Sequence, residues 1–296
     1  MIIYTLTGAD GEVIPRNATH FRVHPSITVI KDIFTRHPNI VEIVCHKGVK
    51  RIKAGAFCSC PRLGRAVIPG VEVVEQAAFF GCKVLEYIEC DKLERVEQHA
   101  FSCCESLSSI DLPSVQIVEE AAFLSCPVLK DATFGQTLEA IKGCVFEYCQ
   151  SLERITIPLK RGVVVYNAFK GCENLKYVDL VEGAVLHETI NTLQLEEWRN
   201  DMNKEVDSIR QILPDAPAGD FKETGEKARA IQEWMERVLD KIIHYKAEHE
   251  RFIEAATPIV LPSNVVVRMN VFPFLQLPLY TFQGEDNGEA ENRMNG

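Results

Sequence analysis

The sequence predicts an α/β repeat solenoid of short strands and short helical turns, followed by an α-helical hairpin on the C-terminal side. Two observations lead to this prediction. A phenylalanine-centred motif returns every 22 or 23 residues, and two amphipathic runs follow where the motif ends. Because one such unit cannot bury its own apolar face, stacked units must share one continuous core.

The motif has four fixed positions in each unit. A cysteine follows the phenylalanine by three residues and a leucine by six, while a β-branched residue precedes it by five. Successive phenylalanines are 22, 22, 22, 23 and 23 residues apart. Six units keep this register, with Phe57, Phe79, Phe101, Phe123, Phe146 and Phe169; Cys60, Cys82, Cys104, Cys126, Cys149 and Cys172; Leu63, Leu85, Leu107, Leu129, Leu152 and Leu175; and Ile52, Val74, Val96, Val118, Ile141 and Val164.

The spacing inside a unit predicts its secondary structure. Positions i, i+3 and i+6 lie on one face of a helical turn, so phenylalanine, cysteine and leucine indicate a short helical segment. After the leucine the period becomes two: Ile155 and Ile157 alternate with Arg154 and Thr156, as in a half-buried strand. A second extended segment, such as residues 93–96, leads into the next Ala-Phe. Each unit is therefore strand, turn, strand and short helix.

A degenerate unit precedes these six. Phe34, Ile40 and Ile43 match the phenylalanine, leucine and strand positions, and His37 replaces the cysteine. With it the solenoid covers residues 26–185 in about seven units.

Two extended segments stand before the solenoid, over residues 2–7 and 21–23, and residues 8–11 favour a turn after the first. An open first repeat would expose a sheet edge and an apolar face. We therefore predict that residues 1–25 form a hairpin cap.

The repeat pattern L-x-x-I-x-I-P followed by V-x-x-I-x-x-x-A-F-x-x-C-x-x-L resembles the BspA-like leucine-rich repeats. The resemblance covers about residues 26–180. The sequence departs from the pattern at Val145, where alanine is missing, and at Arg161, where an apolar residue is expected, and it lacks an asparagine ladder. The resemblance implies a leucine-rich-repeat fold and protein recognition by a curved solenoid, and it implies no reaction.

Residues 186–257 are predicted to form a helical hairpin. One run over 190–213 and another over about 224–256 are amphipathic, and the segment 214–217, Pro-Asp-Ala-Pro, breaks between them. The hairpin either caps the last repeat or serves in dimerisation or docking. The apolar positions of the two runs are Leu195, Trp198, Met202, Val206, Ile209 and Leu213, then Ile231, Trp234, Val238, Ile242, Tyr245 and Phe252.

An apolar segment over 258–283 follows the hairpin. Residues 261–278 faintly resemble the opening of an F-box, and the alternative is a strand or turn packed on the hairpin. Residues 284–296 are acidic and poor in apolar side chains, which predicts a disordered tail.

Charge and cysteine usage restrict the partners and the compartment. A net charge of -10 argues against a non-specific grip on nucleic acid or on anionic membrane, so a protein partner is expected. The N-terminus does not read as a signal peptide, and no run reaches the roughly 18 apolar residues that span a bilayer. We therefore expect an intracellular protein, cytoplasmic or nuclear, whose eleven cysteines are free thiols.

The cysteine column has two interpretations: a metal or redox site, or one small core side chain per unit. Cys103-Cys104 and Cys58-Ser59-Cys60 lack the paired spacing of zinc sites, which favours the core. The sequence contains no metalloprotease, P-loop, nucleophile-elbow or dinucleotide motif. We predict no catalytic residue, no cofactor and no metal site.

Alternation places one set of polar side chains outside the core, in a stripe along the leading strand of each unit. Tyrosine and arginine, which dominate binding interfaces, occur in it, although the stripe is also consistent with ordinary soluble surface. The sequence thus favours a non-catalytic protein–protein interaction scaffold, with a ubiquitin-ligase substrate adaptor of F-box type and an enzyme with an unrecognised site as alternatives. The candidate partner-binding residues are Arg65, Tyr87, Glu89, Ser109, Asp111, Asp131, Thr133, Arg154, Thr156, Tyr177 and Asp179.

Overall fold

The computed structural model describes residues 1–8, 12–181, 183–191, 193, 195–209, 213 and 226–260. The chain divides into two compact units. One comprises Met1–Glu182 with Asp207–Glu236, and the other comprises Gly183–Val206 with the chain from Arg237 onward. The predicted turn at 8–11, the break at 214–217, the F-box-like residues 261–278 and the tail 284–296 lie outside the described residues, wholly or in large part.

The first unit is the predicted solenoid, and its successive turns of chain contribute short strands to two series. Every strand pairing within the two series is parallel. The leading series is β1 Ile3–Leu6, β2 His20–Val23, β4 Glu42–Val44, β6 Arg65–Val67, β8 Tyr87–Glu89, β10 Ser109–Leu112, β12 Asp131–Phe134, β14 Arg154–Ile157 and β15 Tyr177–Leu180; the second series is β3 Val29–Ile30, β5 Arg51–Ile52, β7 Val73–Val74, β9 Arg95–Val96, β11 Ile117–Val118 and β13 Ala140–Ile141.

The two series differ in continuity. The second series is one six-stranded sheet from β3 to β13. The leading series is divided into a five-stranded sheet that ends at β8 and a four-stranded sheet that begins at β10. The neighbouring units stay adjacent at this division, because β9 pairs with β11 in the second sheet.

The segment predicted as a short helix is a run of tight turns, and residues with positive φ explain why it does not continue as a helix. Ala77 and Gly81, two residues on either side of Phe79, have φ of 53° and 69°. Their amides point along the solenoid and donate to the next unit, Ala77 N to Gln98 O at 2.9 Å and Gly81 N to Ser102 O at 2.8 Å. The turns thus form a third ladder of hydrogen bonds between units.

The core is a column of stacked phenylalanines. The rings from Phe34 to Phe169 are nearly parallel, with centroids 5.1 to 5.7 Å apart and interplanar angles of 5° to 12°. At the N-terminal end Phe21 turns edge-on to Phe34, with centroids 4.9 Å apart. One buried ring per unit is therefore shared by both neighbours, as the repeat predicted.

The predicted N-terminal hairpin is wrong, because β1 and β2 pair in parallel, Ile3 opposite His20 and Leu6 opposite Val23. Thirteen residues separate the two strands, which is enough for a crossover, whereas a hairpin needs only a tight turn. The N-terminus is thus an additional turn of the solenoid. His37 of the next unit contacts this N-terminal turn, because its Nε2 donates to Pro15 O at 3.1 Å. Its Nδ1 accepts from Ile40 N within its own unit, at 3.0 Å.

Within the residues that the structure describes, three helices follow the repeats, α1 Gly183–Asn191, α2 Glu196–Asp207 and α3 Glu226–Val260. The predicted run over 190–213 is divided near its start, since its first two residues belong to α1 and α2 begins only at Glu196. Residues 226–236 of α3 belong to the solenoid unit, where Ile231 and Trp234 are buried. Lys227 Nζ donates to the carbonyls of Cys172 and Leu175 at 2.9 and 3.1 Å, so this part of α3 caps the last repeat.

The second unit contains α1, α2 and the rest of α3. Asp201 in α2 accepts from Tyr245 Oη at 2.7 Å and pairs with Lys241 at 2.8 Å. Glu205, one turn later in α2, pairs with Arg237, two turns earlier in α3 than Tyr245. The contacts thus move forward along α2 while they move backward along α3. The two helices are therefore antiparallel here, as the predicted hairpin requires.

Candidate functional site

All eleven candidate residues lie on the outward side of the leading strands, in two columns. We call the outward residues of β4, β6, β8, β10, β12, β14 and β15 the leading-strand face. Strand pairing sets Arg65 opposite Tyr87 and Arg154 opposite Tyr177 in the first column, and Thr156 opposite Asp179 in the second. The first column is Glu42, Arg65, Tyr87, Ser109, Asp131, Arg154 and Tyr177; the second is Val44, Val67, Glu89, Asp111, Thr133, Thr156 and Asp179.

The face contains the same stacked arrangement twice. The guanidinium carbon of Arg65 lies 4.2 Å from the ring centroid of Tyr87, and that of Arg154 lies 4.7 Å from the ring of Tyr177. The two tyrosines still expose 43% and 44% of their surface. Cation–π stacking thus holds two aromatic rings upright while leaving them accessible.

Carboxylates fix the two arginines. Arg65 Nε lies 3.1 Å from Glu42 Oε1, and Arg154 pairs closely with Asp179 and reaches Asp131 at 3.9 Å. The hydrogen bond that Arg154 donates to Asp179 raises the pKa of Arg154 above its ordinary value. Glu42 was not among the predicted residues. Its position opposite Arg65 follows from the strand register, which the degenerate first unit obscures in the sequence.

Between the two arginine–tyrosine pairs the face consists of hydroxyl and carboxylate groups. Three strands carry Ser109, Asp111, Asp131, Thr133 and Thr156, with Asp111 exposed and Asp131 half-exposed. No ion pair in the described part of the chain involves Asp111. The division of the leading sheet falls beside this stretch, between β8 and β10.

The cysteine column is buried and bonded to the backbone. Each thiol donates to the carbonyl of the preceding unit's phenylalanine, for example Cys82 Sγ to Phe57 O at 3.0 Å and Cys104 Sγ to Phe79 O at 3.4 Å. Burial raises the pKa of Cys172 to about 12, which keeps that thiol protonated and unreactive. Among the described residues, no group of three histidine, cysteine or acidic side chains is placed to hold a metal ion.

The fold and the face define a leucine-rich repeat protein, a class that generally mediates protein–protein interaction or surface binding. The model of the BspA-type leucine-rich repeat region matches six copies, over residues 16–86 and 50–176, which is more than half of the chain. The chain belongs to this family, which is typically a non-catalytic repeat scaffold. Of the helices in the described ranges, none is long and apolar enough to cross a membrane.

Solved structures of bacterial leucine-rich repeat proteins resemble the chain. A protein of T. pallidum is 26% identical, with a TM-score of 0.45, over 51% of this chain and 73% of that one. A protein of Bacteroides ovatus is 19% identical, with a TM-score of 0.47, over 62% of this chain and 46% of that one. No curated protein matches the chain.

Proposed function

We propose that the chain is a non-catalytic protein-interaction scaffold that binds its partner on the leading-strand face. The observation that carries the proposal is the pair of exposed tyrosines, each stacked beneath an arginine of the neighbouring strand. Tyrosine and arginine supply most of the binding energy in many interfaces. Rings already held by stacking lose little conformational entropy when a partner covers them.

The composition of the face supports the same proposal. Inward residues of these strands are apolar, for instance the buried Ala66, Ile110 and Phe134, because they must fit one core. Outward residues differ from unit to unit, and packing of the core does not account for this variation because their side chains lie outside the core. With a chain charge of -10, a protein partner is favoured over nucleic acid or anionic membrane, and a cytoplasmic or nuclear location stays a prediction.

The experiment is affinity capture from cell lysate with the full chain, read by quantitative mass spectrometry. We expect Tyr87→Ala with Tyr177→Ala to reduce the captured partner by about tenfold or more, since each truncated interface tyrosine costs on the order of 1 kcal/mol or more. Tyr148→Ala is the matched control: its ring is 41% exposed and lies 5.5 Å from Lys170 Nζ, but it stands in the turns.

Equal capture by the double variant and the native chain would remove this face from consideration. Loss of capture by the Tyr148→Ala control would do the same, because it would place the binding surface on the turns. Circular dichroism melts of all three proteins show whether each variant is folded.

A further inference from the structure

We propose that the occupant of the leading-strand face is an extended segment of a partner protein, and that a lysine or arginine of this segment lies over Asp111 and Asp131. The inference deepens the proposed function and rests on it. It names the chemistry of the partner from the charges and the aromatic rings on the face.

The first argument is charge complementarity. The outward positions of β4 to β15 hold five carboxylates and two guanidinium groups. Both guanidinium groups are already engaged, Arg65 by Glu42 and Arg154 by Asp179, and of the two only Arg154 reaches the middle of the face, where it lies 3.9 Å from Asp131. Asp111 is exposed and outside any ion pair among the described residues, and Asp131 has only the 3.9 Å contact to Arg154. The middle of the face therefore attracts a cation.

The second argument is the nature of the two borders. Tyr87 and Tyr177 stand at opposite ends of this acidic middle, and each exposes an aromatic ring. Lysine and arginine combine a charged head with an apolar stem, so their stems can cover such a ring while the head reaches a carboxylate. A small inorganic cation would use the carboxylates alone and leave both rings in water.

The third argument is length. Four strand steps separate Tyr87 from Tyr177, which is about 19 Å at the usual spacing between strands. An extended chain advances roughly 3.3 Å per residue, so about six residues connect the two rings. Ser109, Thr133 and Thr156 lie along this path and can both donate and accept hydrogen bonds to a partner backbone.

The test is selection of a phage-displayed random heptapeptide library on the immobilised full chain. Selected heptapeptides are then synthesised with fluorescein, and their Kd is measured by fluorescence anisotropy. We expect enrichment of lysine or arginine near the middle of the peptides. We expect Asp111→Asn with Asp131→Asn to weaken binding about tenfold, and binding to weaken as salt increases.

The matched control is Glu94→Gln with Glu139→Gln, which removes the same charge from exposed positions beside β9 and β13 in the second sheet. This control should bind as the native chain does. Equal weakening by both charge-removing variants would overturn the inference, because the whole-chain field would then account for the effect.

Other outcomes show whether this inference fails alone or together with the proposed function. Peptides without basic enrichment that tolerate Asp111→Asn and Asp131→Asn, but are lost on Tyr87→Ala with Tyr177→Ala, would overturn the inference and leave the proposed function standing. Peptides that bind the tyrosine variant as tightly as the native chain would contradict both. A selection that enriches no peptide would also overturn the inference.

Discussion

The phenylalanine column and the leading-strand face belong to the same units of chain, yet they follow opposite rules. Every unit from Phe34 to Phe169 places the same ring in the column, and each ring is buried between its neighbours. On the face, Arg65, Tyr87 and Ser109 occupy equivalent positions on three successive leading strands and share no chemistry. A repeated column indicates a packing requirement, whereas a varied column indicates positions that packing leaves free for recognition.

Among the substitutions that test this comparison, the largest effect on the free energy of unfolding is expected at Phe101. Its ring is stacked on Phe79 and Phe123, at 5.2 and 5.3 Å, and is fully buried. We expect Phe101→Ala to lower the free energy of unfolding by about 3–5 kcal/mol, measured by urea denaturation. Tyr87→Ala on the face should lower it by less than about 1 kcal/mol. Similar losses for both variants would break the distinction between column and face.

The next largest effect on the free energy of unfolding is expected in the cysteine column. Cys104→Ala removes a buried side chain and its hydrogen bond to Phe79 O, so we expect it to lower the free energy of unfolding by about 1–2 kcal/mol. The control is Cys103→Ala, the adjacent thiol, which is half-exposed and should cost less than about 0.5 kcal/mol. Equal values from urea denaturation would show that the cysteine column contributes nothing of its own.

His37 should make the N-terminal end of the column sensitive to pH. Burial lowers its pKa below the ordinary value of 6.5, so the unfolded chain binds a proton more readily than the folded chain does. Its contribution is therefore complete above about pH 6.5 and is lost as the pH falls below that value. Thermal melts of the native chain and of His37→Gln are compared at about pH 7.5 and about pH 5. The decrease in Tm on acidification should be smaller for the variant. An identical decrease would exclude His37 as the titrating group.

The smallest expected effect on the free energy of unfolding is in the turns. There the backbone conformation recurs from unit to unit, whereas the residue type varies. Ala77 has a φ of 53°, which disfavours any residue with a Cβ atom. We expect Ala77→Gly to raise the free energy of unfolding by about 0.5 kcal/mol, because relief of this strain slightly exceeds the entropy that glycine loses on folding. A clear loss of stability in urea denaturation would contradict this account of the turns.

The repeated positions could be predicted from the sequence because packing imposes them unit after unit. Phe79, Cys82 and Leu85 recur with a fixed spacing, and the alternation after each leucine places the outward residues correctly. The pairing of Arg65 with Tyr87 follows from the same spacing once the strands are known to be parallel.

Other features could not be predicted because they depend on the backbone. Left-handed turn residues include His99 and Tyr148 as well as Gly55 and Gly81, so glycine gives only a partial signal for them. The thiol hydrogen bonds need the position of the phenylalanine carbonyl, and the parallel pairing of β1 depends on where the chain returns. Neither quantity is visible in residue types.

The most direct test of the central claim changes the middle of the face alone. Ser109→Thr, Asp111→Thr and Asp131→Thr, added to the natural Thr133 and Thr156, produce a face of five threonines on three strands. Urea denaturation should give a free energy of unfolding within about 1 kcal/mol of the native value, because threonine is well suited to strands and the core is untouched. A loss as large as that of Phe101→Ala would show that the face, too, is required for the fold.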